Sequence, residues 1–359
     1  MKPFKVFAVV LPGLEEYAEI ELSQLGIKKT TLVRGGIEFA CHPRKLYYLN
    51  NFTRISTRFL VRVGTLKAKS FSEFENKFLK IDLKGHIGSQ PIEIKVSCQH
   101  CKLYHTGAII ERVHRYLKKP INNKHESIEP QRIYINGKDD EFMISIDSSG
   151  ENLHKRGVMK YRGQAPLRET IAGAMLQAAR VEGDLWDPMC GSGTLPIEYF
   201  IQQSNAPMGL SRSFAFECWP SFESVEYQKI LSDAKGDIQK PENLIEGSDI
   251  EEAVLELAKK NSRRIENGEN INFFCKDFNL IQSKEIKNNK KLTIICNPPY
   301  GERLQLKKGL LNQLIRLSEK NEMIKLYVLI PNNFVNTKWR VLFKCKNGGL
   351  QVAFCELKQ

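Results

Sequence analysis

The residues best suited to chemistry lie in Leu292-Thr293-Ile294-Ile295-Cys296-Asn297-Pro298-Pro299-Tyr300-Gly301. Asn297 carries an amide that both accepts and donates hydrogen bonds, and Tyr300 carries a ring that can lie flat on a planar partner. The apolar, β-branched run before Asn297 reads as a buried strand, and Pro298-Pro299 can continue neither a ladder nor a helix. The chain must therefore leave a sheet as a rigid loop with Asn297 at the strand's carboxyl end. Such a loop suits a flat heterocycle bearing an exocyclic amine.

A second chemical stretch is Leu185-Trp186-Asp187-Pro188-Met189-Cys190-Gly191-Ser192-Gly193-Thr194, followed by a helical run from Leu195. A strand ending in an acid, then a glycine turn into a helix, is the nucleotide-cofactor turn of an open α/β sheet. The third glycine of the dinucleotide fingerprint is missing, and no Gly-Lys-Ser/Thr follows to make a phosphate loop. Two further acids end strand-like runs: Asp249, 62 residues after Asp187 and ahead of an amphipathic helix, and Asp277 after Asn272–Cys275, with Phe278 next to it. Asp277 can accept a hydrogen bond from an amino group or cap a helix. The long gap before Asp249 makes residues 205–243, rich in Pro, Ser and aromatics, an insertion between a crossover helix and the second strand. These strand ends, in this order, predict a doubly wound sheet with its ligand edge at their carboxyl termini.

The order Asn-Pro-Pro-Tyr resembles the fourth motif of S-adenosylmethionine-dependent methyltransferases that modify an exocyclic nucleobase amine, and Asp-Pro-Met-Cys-Gly-Ser-Gly-Thr resembles their first. The resemblance implies a Rossmann-like α/β domain with a seven-stranded, mostly parallel sheet. It further implies that Asp187 faces the amino-acid end of S-adenosylmethionine, that the turn through Pro188, Cys190, Gly191, Gly193 and Thr194 packs under it, and that Asp249 with Ile250 takes the ribose. Asp277 and Phe278 would take the adenine. Asn297, Pro298, Pro299 and Tyr300 would form the catalytic loop, with Asn297 also touching the cofactor.

The 359-residue chain is long enough for two or three domains and carries a formal net charge of +13, of which residues 1–150 contribute +8 from 24 basic and 16 acidic side chains. That excess favours polyanionic partners without naming one. Nine cysteines scattered without a framework argue for a reducing compartment, no apolar run approaches membrane length, and the start is too short in apolar residues for a signal peptide. The expectation is a cytoplasmic protein.

The chain opens with a β-α-β pattern: a strand at Val6–Leu11, a helix through Leu14, Tyr17, Ala18 and Leu22, and a β-rich run at Thr30–Ala40. The aromatic and basic residues from Leu46 to Val63 fit a core helix with a solvated basic face better than a base-stacking surface. Cys98 and Cys101 with His105 and His114 invite a zinc reading, but no second cysteine pair follows, so no metal is expected. A helix over Thr106–Leu117 places Arg112 and Arg115, followed by Lys119, on one side as a phosphate track. Gln131–Ile135 and Phe142–Asp147 read as a hairpin turning at Asn136-Gly137.

Residues from about Ser70 to Asp147 resemble a THUMP domain, most clearly at Lys102-Leu103-Tyr104-His105-Thr106. The run Leu153-His154-Lys155-Arg156-Gly157 resembles the linker that joins THUMP to the catalytic domain in bacterial 23S ribosomal RNA guanine-N2 methyltransferases. The same family carries an insert with Phe-Glu-x-Trp-Pro, here Phe216-Glu217-Cys218-Trp219-Pro220. Three units are thus expected: a ferredoxin-like region at 1–69, a THUMP domain at 70–150 and a catalytic domain at 151–359. The resemblance implies RNA as substrate, with Lys102, His105, Arg112, Arg115, Lys155 and Arg156 as its expected contacts, the last two equally readable as solvated linker. Ribosomal RNA is the expected substrate, with tRNA an alternative, and no membrane partner is expected. An adenine-N6 methyltransferase and a catalytically idle RNA-binding protein remain open alternatives.

Overall fold

The computed structural model of the chain describes residues 2–117, 129–163, 166–207, 212–278, 291–299, 308–319 and 321–358. Two seven-stranded sheets organise them. The amino-terminal sheet is built from β1 (Phe4–Val9), β2 (Thr30–Val33), β3 (Gly36–Cys41), β4 (Arg58–Lys67), β5 (Ile92–Gln99), β6 (Gln131–Lys138) and β7 (Glu141–Asp147), in the spatial order β2-β3-β1-β4-β7-β6-β5. Strand β4 pairs antiparallel with β1 on one side and with β7 on the other. The two segments expected as separate units on either side of residue 69 therefore share one continuous sheet.

Helices α1 (Glu15–Gln24), α2 (Pro43–Phe52), α3 (Phe71–Phe78) and α4 (Thr106–Leu117) accompany this sheet. Tyr47, Phe52 and Phe59 are buried, so the aromatic stretch around them is core. The β6–β7 hairpin turns at Asp139-Asp140, both with positive φ (53° and 62°), and not at Asn136-Gly137. Asn136 and Gly137 stay in the ladder opposite Met143 and Phe142. Gly137 serves packing there, since a Cβ would come within 2.6 Å of the Phe142 ring.

The second sheet holds β8 (Asp184–Asp187), β9 (Ile245–Asp249), β10 (Asn272–Cys275), β11 (Leu292–Cys296), β12 (Ile324–Pro331), β13 (Trp339–Asn347) and β14 (Leu350–Leu357), in the order β10-β9-β8-β11-β12-β14-β13. The first five are parallel to one another, and β14 runs antiparallel between β12 and β13. The order reverses direction beside β8, which is the switch point where a doubly wound sheet opens a crevice. All five residues of β11 are buried, as a central parallel strand covered on both faces requires. Helices α5 (Glu169–Ala179), α6 (Thr194–Ser204), α7 (Ser224–Gly236), α8 (Glu252–Ser262) and α9 (Lys308–Glu319) complete this half.

Among the contacts that join the halves, two involve aromatic rings. Helix α1 lies against the edge strand β13, where Tyr17 donates its hydroxyl to the Leu342 carbonyl at 3.0 Å and its ring meets Phe343 at 5.5 Å. Gly13 permits this approach, because a Cβ there would lie 1.9 Å from the Lys344 carbonyl oxygen. The 205–243 insertion makes the other contact: Phe216 stacks on Tyr47 at 4.5 Å, Tyr227 and Phe222 pack around the same ring, and Trp219 meets Phe4.

Candidate active site

Because β8, β9, β10 and β11 are neighbours, their carboxyl ends converge although their sequences are scattered. A cleft of about 420 Å³ opens there, and its walls include Asp187, Pro188, Cys190, Gly191, Thr194, Asp249, Ile250, Asp277, Phe278, Asn297, Pro298 and Pro299. That volume is in the range of small-molecule sites. The 62 residues between Asp187 and Asp249 cost nothing in geometry, since β8 and β9 are adjacent and parallel.

The glycine turn is fixed from β9. Gly191 donates its backbone N–H to Asp249 Oδ2 at 2.9 Å, Cys190 donates to the Ser248 carbonyl at 2.9 Å, and Asp249 Oδ1 accepts from Glu251 N at 3.1 Å. Gly191 has φ +53°, and a Cβ there would stand in open space, so the turn presents bare backbone to the cleft. Gly193, expected among the cofactor residues, is not on the cleft wall. A Cβ on it would come within 3.0 Å of Ala258 and 3.1 Å of Phe273, so it lets the start of α6 pack against α8 and β10.

The electrostatics are unusual at Asp187. Its carboxyl is 2 % exposed and accepts one hydrogen bond, from Met189 N at 3.1 Å. Burial, reinforced by the nearby charge of Asp249 and opposed by the Met189 N–H, pushes it up to about 8. At the end of the neighbouring strand β11, Asn297 leaves its Oδ1 buried without a hydrogen-bond partner among the described residues. A buried acceptor left unmade costs about 1–3 kcal/mol, which a ligand N–H would recover. Phe278 is buried with its ring 6.2 Å from Trp186 while still reaching the cleft, and Ile250, 63 % exposed, lines the same cleft. Tyr300 lies outside the described residues.

Other wall residues carried no signal in the sequence: Gly163, Pro166 and Leu167 from the linker, Leu310 from α9, and Asn347 from the β13–β14 turn. That turn overhangs the cleft because β14 starts beside the carboxyl end of β12, with Val352 opposite Pro331.

The residues expected to touch RNA separate into two groups. Lys102, His105, Arg115 and Lys155 are exposed, Lys155 in an ion pair with Glu151 at 2.8 Å. Arg112 pairs with Glu75 at 3.2 Å and covers the Phe71 ring at 4.1 Å, and Lys119 lies outside the described residues. Arg156 is a correction: it is 2 % exposed, and its Nε donates to Glu198 Oε1 at 2.7 Å while its terminal nitrogens donate to the Thr53, Leu153 and Arg54 carbonyls. Its guanidinium is enclosed and unavailable to a partner. Among the described residues no group of three or more metal-holding side chains gathers, and no helix is long and apolar enough to cross a membrane.

An adenosyl sulfonium cofactor fits this cleft on three counts. There is bare backbone at Gly191, there are carboxylates at the ends of β8 and β9, and an apolar wall runs from Ile250 to Phe278. Comparison with known proteins agrees. Residues 156–330 match the RMKL-like methyltransferase domain model and residues 5–60 match the RlmL ferredoxin-like domain model. The Synechocystis sp. protein slr0064, provisionally named an RNA methyltransferase, is 30% identical over 310 residues, covering 83% of this chain and 80% of that protein. A possible methylase from Clostridium difficile 630 superposes with TM-score 0.83 at 27% identity, over 99% of this chain and 98% of that one. At 24% identity, where only the fold is compared, SMU.472, solved with S-adenosylhomocysteine (SAH), gives TM-score 0.83 over 99% and 98% of the two chains. A predicted N6-adenine-specific DNA methylase from Listeria monocytogenes gives 0.81 at 24% identity, over 99% and 96%. The chain belongs to the RMKL-like methyltransferase family, with an RlmL ferredoxin-like amino terminus and S-adenosylmethionine as its cofactor.

Proposed function

We propose that the protein methylates the exocyclic N2 amine of a guanosine in RNA, with 23S ribosomal RNA as the preferred substrate and tRNA as the runner-up. The observation that carries this reading is the buried, unpartnered Oδ1 of Asn297 on the wall of the cofactor cleft. RNA is the polymer in the provisional name of the Synechocystis relative. The resemblance to the ribosomal guanine-N2 enzymes selects guanine. In this reading residues 1–69 and 70–150 are the ferredoxin-like and THUMP regions that present RNA to a catalytic domain at 151–359. The nine free cysteines fit work in the cytoplasm.

S-adenosylmethionine supplies an electrophilic methyl group on a sulfonium. The chain's part is to hold and orient. Asp187 takes a cationic amino group and Asp249 the ribose hydroxyls, while Gly191 lets backbone approach closely. Asp277 accepts an amino hydrogen, with Ile250 and Phe278 as the apolar faces. An exocyclic amine is a poor nucleophile because its lone pair is delocalised into the ring. Asn297 Oδ1 and the Pro298 carbonyl each accept one N–H, which biases the nitrogen toward tetrahedral geometry and stabilises the positive charge that develops on it. Pro299 keeps the loop rigid, and Tyr300, by resemblance, stacks on a base taken out of its helix.

The test is nucleoside mass spectrometry after reaction with S-adenosylmethionine and either 23S RNA, tRNA or DNA. N2-methylguanosine in RNA is the expected product. The Listeria neighbour's name gives the second reading its content: N6-methyladenine as the sole product would replace the proposal, and no product on any polymer would leave an idle RNA-binding protein.

A further inference from the structure

We propose that the linker from Gly157 to Gly163, laid along α8, forms with the end of that helix a docking strip for single-stranded RNA leading to the cleft mouth. The inference rests on the RNA reading above and places its contacts on residues that reading did not use.

The linker runs antiparallel to the helix, held at three points. Arg264 donates from Nε to the Gly157 carbonyl at 3.0 Å. Asn261, fully buried, accepts from Tyr161 N at 3.0 Å and donates to the Tyr161 carbonyl at 2.7 Å and to the Ser192 carbonyl at 3.2 Å. Gly163 reaches the first turns of α8, where a Cβ would sit 3.3 Å from Val254, and both residues are on the cleft wall. One buried amide thus ties the strip to the glycine turn of the cofactor site, so that whatever binds the strip is registered against that turn.

The strip's outer surface is cationic and aromatic. Tyr161 is 38 % exposed, with Lys260 Nζ 6.0 Å from its ring centroid. Lys160, Lys260 and Arg263 are exposed, and among the described residues none of them is in an ion pair, the neighbouring Glu256 being taken by Lys259 at 2.9 Å. An exposed ring among cations offers a stacking platform with phosphate partners on either side, which is the arrangement that holds single strands without reading their sequence. A duplex would present its bases stacked and give the ring nothing to cover. Lys260 and Arg263 also complement the negative end of the helix dipole, a role that would show in stability and not in RNA affinity.

The measurement is binding of SAH-loaded protein to an unstructured RNA of about a dozen nucleotides across a salt series. The variants are K160Q/K260Q/R263Q, the linker-only change Lys160→Gln, and Tyr161→Ala, each checked for thermal stability and for SAH affinity by calorimetry. Three lost phosphate contacts should lower the slope of log affinity against log salt by about 2 and weaken binding at least tenfold at low salt, with SAH affinity unchanged. Tyr161→Ala should cost about tenfold, and Lys160→Gln should lower the slope by about 0.7 without touching the helix. Wild-type affinity and slope in the triple variant and in Lys160→Gln would overturn the strip, whether or not the protein transfers methyl groups. Strip-dependent RNA binding by a protein that yields no methylated RNA keeps the strip and removes the enzymatic reading. No RNA binding by the unaltered protein removes both.

Discussion

Two buried polar regions of this chain differ in how completely they are satisfied. At the junction between the sheets, Glu21 on α1 accepts from the Thr53 hydroxyl and from the backbone N–H groups of Arg54 and Ile55. Arg156 grips the same loop from the other side through the Thr53 and Arg54 carbonyls while paired to Glu198 Oε1, so that of this network only Glu198 Oε2 is buried without a hydrogen bond among the described residues. In the cleft, Asn297 keeps an idle acceptor and Asp187 is buried with one N–H for company. A fully enclosed network fixes how two parts of a protein sit together. In the cleft the unpartnered acceptor stands on the wall of a cavity, where a ligand can complete the structure.

The comparison can be broken first at the junction. Arg156→Ala leaves Glu198 buried without its cation and should lower unfolding free energy by about 3–5 kcal/mol in urea titrations. Replacing both partners with apolar residues should recover much of that loss. A loss below about 1 kcal/mol, no larger than an exposed pair gives, would show the junction to be decorative.

In the cleft the expected effect moves from stability to rate. Asn297→Ala should lower single-turnover methyl transfer at saturating S-adenosylmethionine by about 10²–10³-fold, the scale of losing one preorganised polar group, while the protein stays folded and still binds SAH. Near-normal turnover would sink the role given to this amide.

A separate test is a pH dependence at Asp187. Its carboxyl ionises near 8 in the folded chain and near 3.9 when unfolded. Below about pH 4 both states hold the proton. As pH rises toward 8 only the unfolded state releases it, so this group withdraws stability over that span and no more above it. A cationic amino group at the carboxyl has the opposite preference, so SAH affinity should rise with pH, by at most about tenfold per unit, and level off above 8. Asp187→Asn should flatten the binding profile and raise the melting temperature of the ligand-free protein at pH 8. An unchanged profile in that variant would show that another group binds the cation.

Much of the site was legible because its signals are local. The apolar run before Asn297 and the prolines after it define a strand and its exit within eight residues, and the turn at Gly191 needs only its own glycine. The hairpin at 131–147 was legible as a hairpin but not at its turn, because Asn136-Gly137 carries the usual preference while Phe142 across the ladder is what requires the glycine. Arg156 could not be read correctly in isolation. A basic residue in a polar linker looks solvated until Glu198, 42 residues later, is folded against it.

By itself the sequence determined the order of strand-end residues, and hence which side chains share the carboxyl edge of the second sheet. Backbone preference and hydrophobic period are properties of short segments, so folding cannot easily reassign them. Only the tertiary structure decided that one sheet runs through β4, that Asn347 and the linker close the cleft, and which cations face water. Each of these depends on burial by partners far along the chain, and burial is a sum over the whole fold.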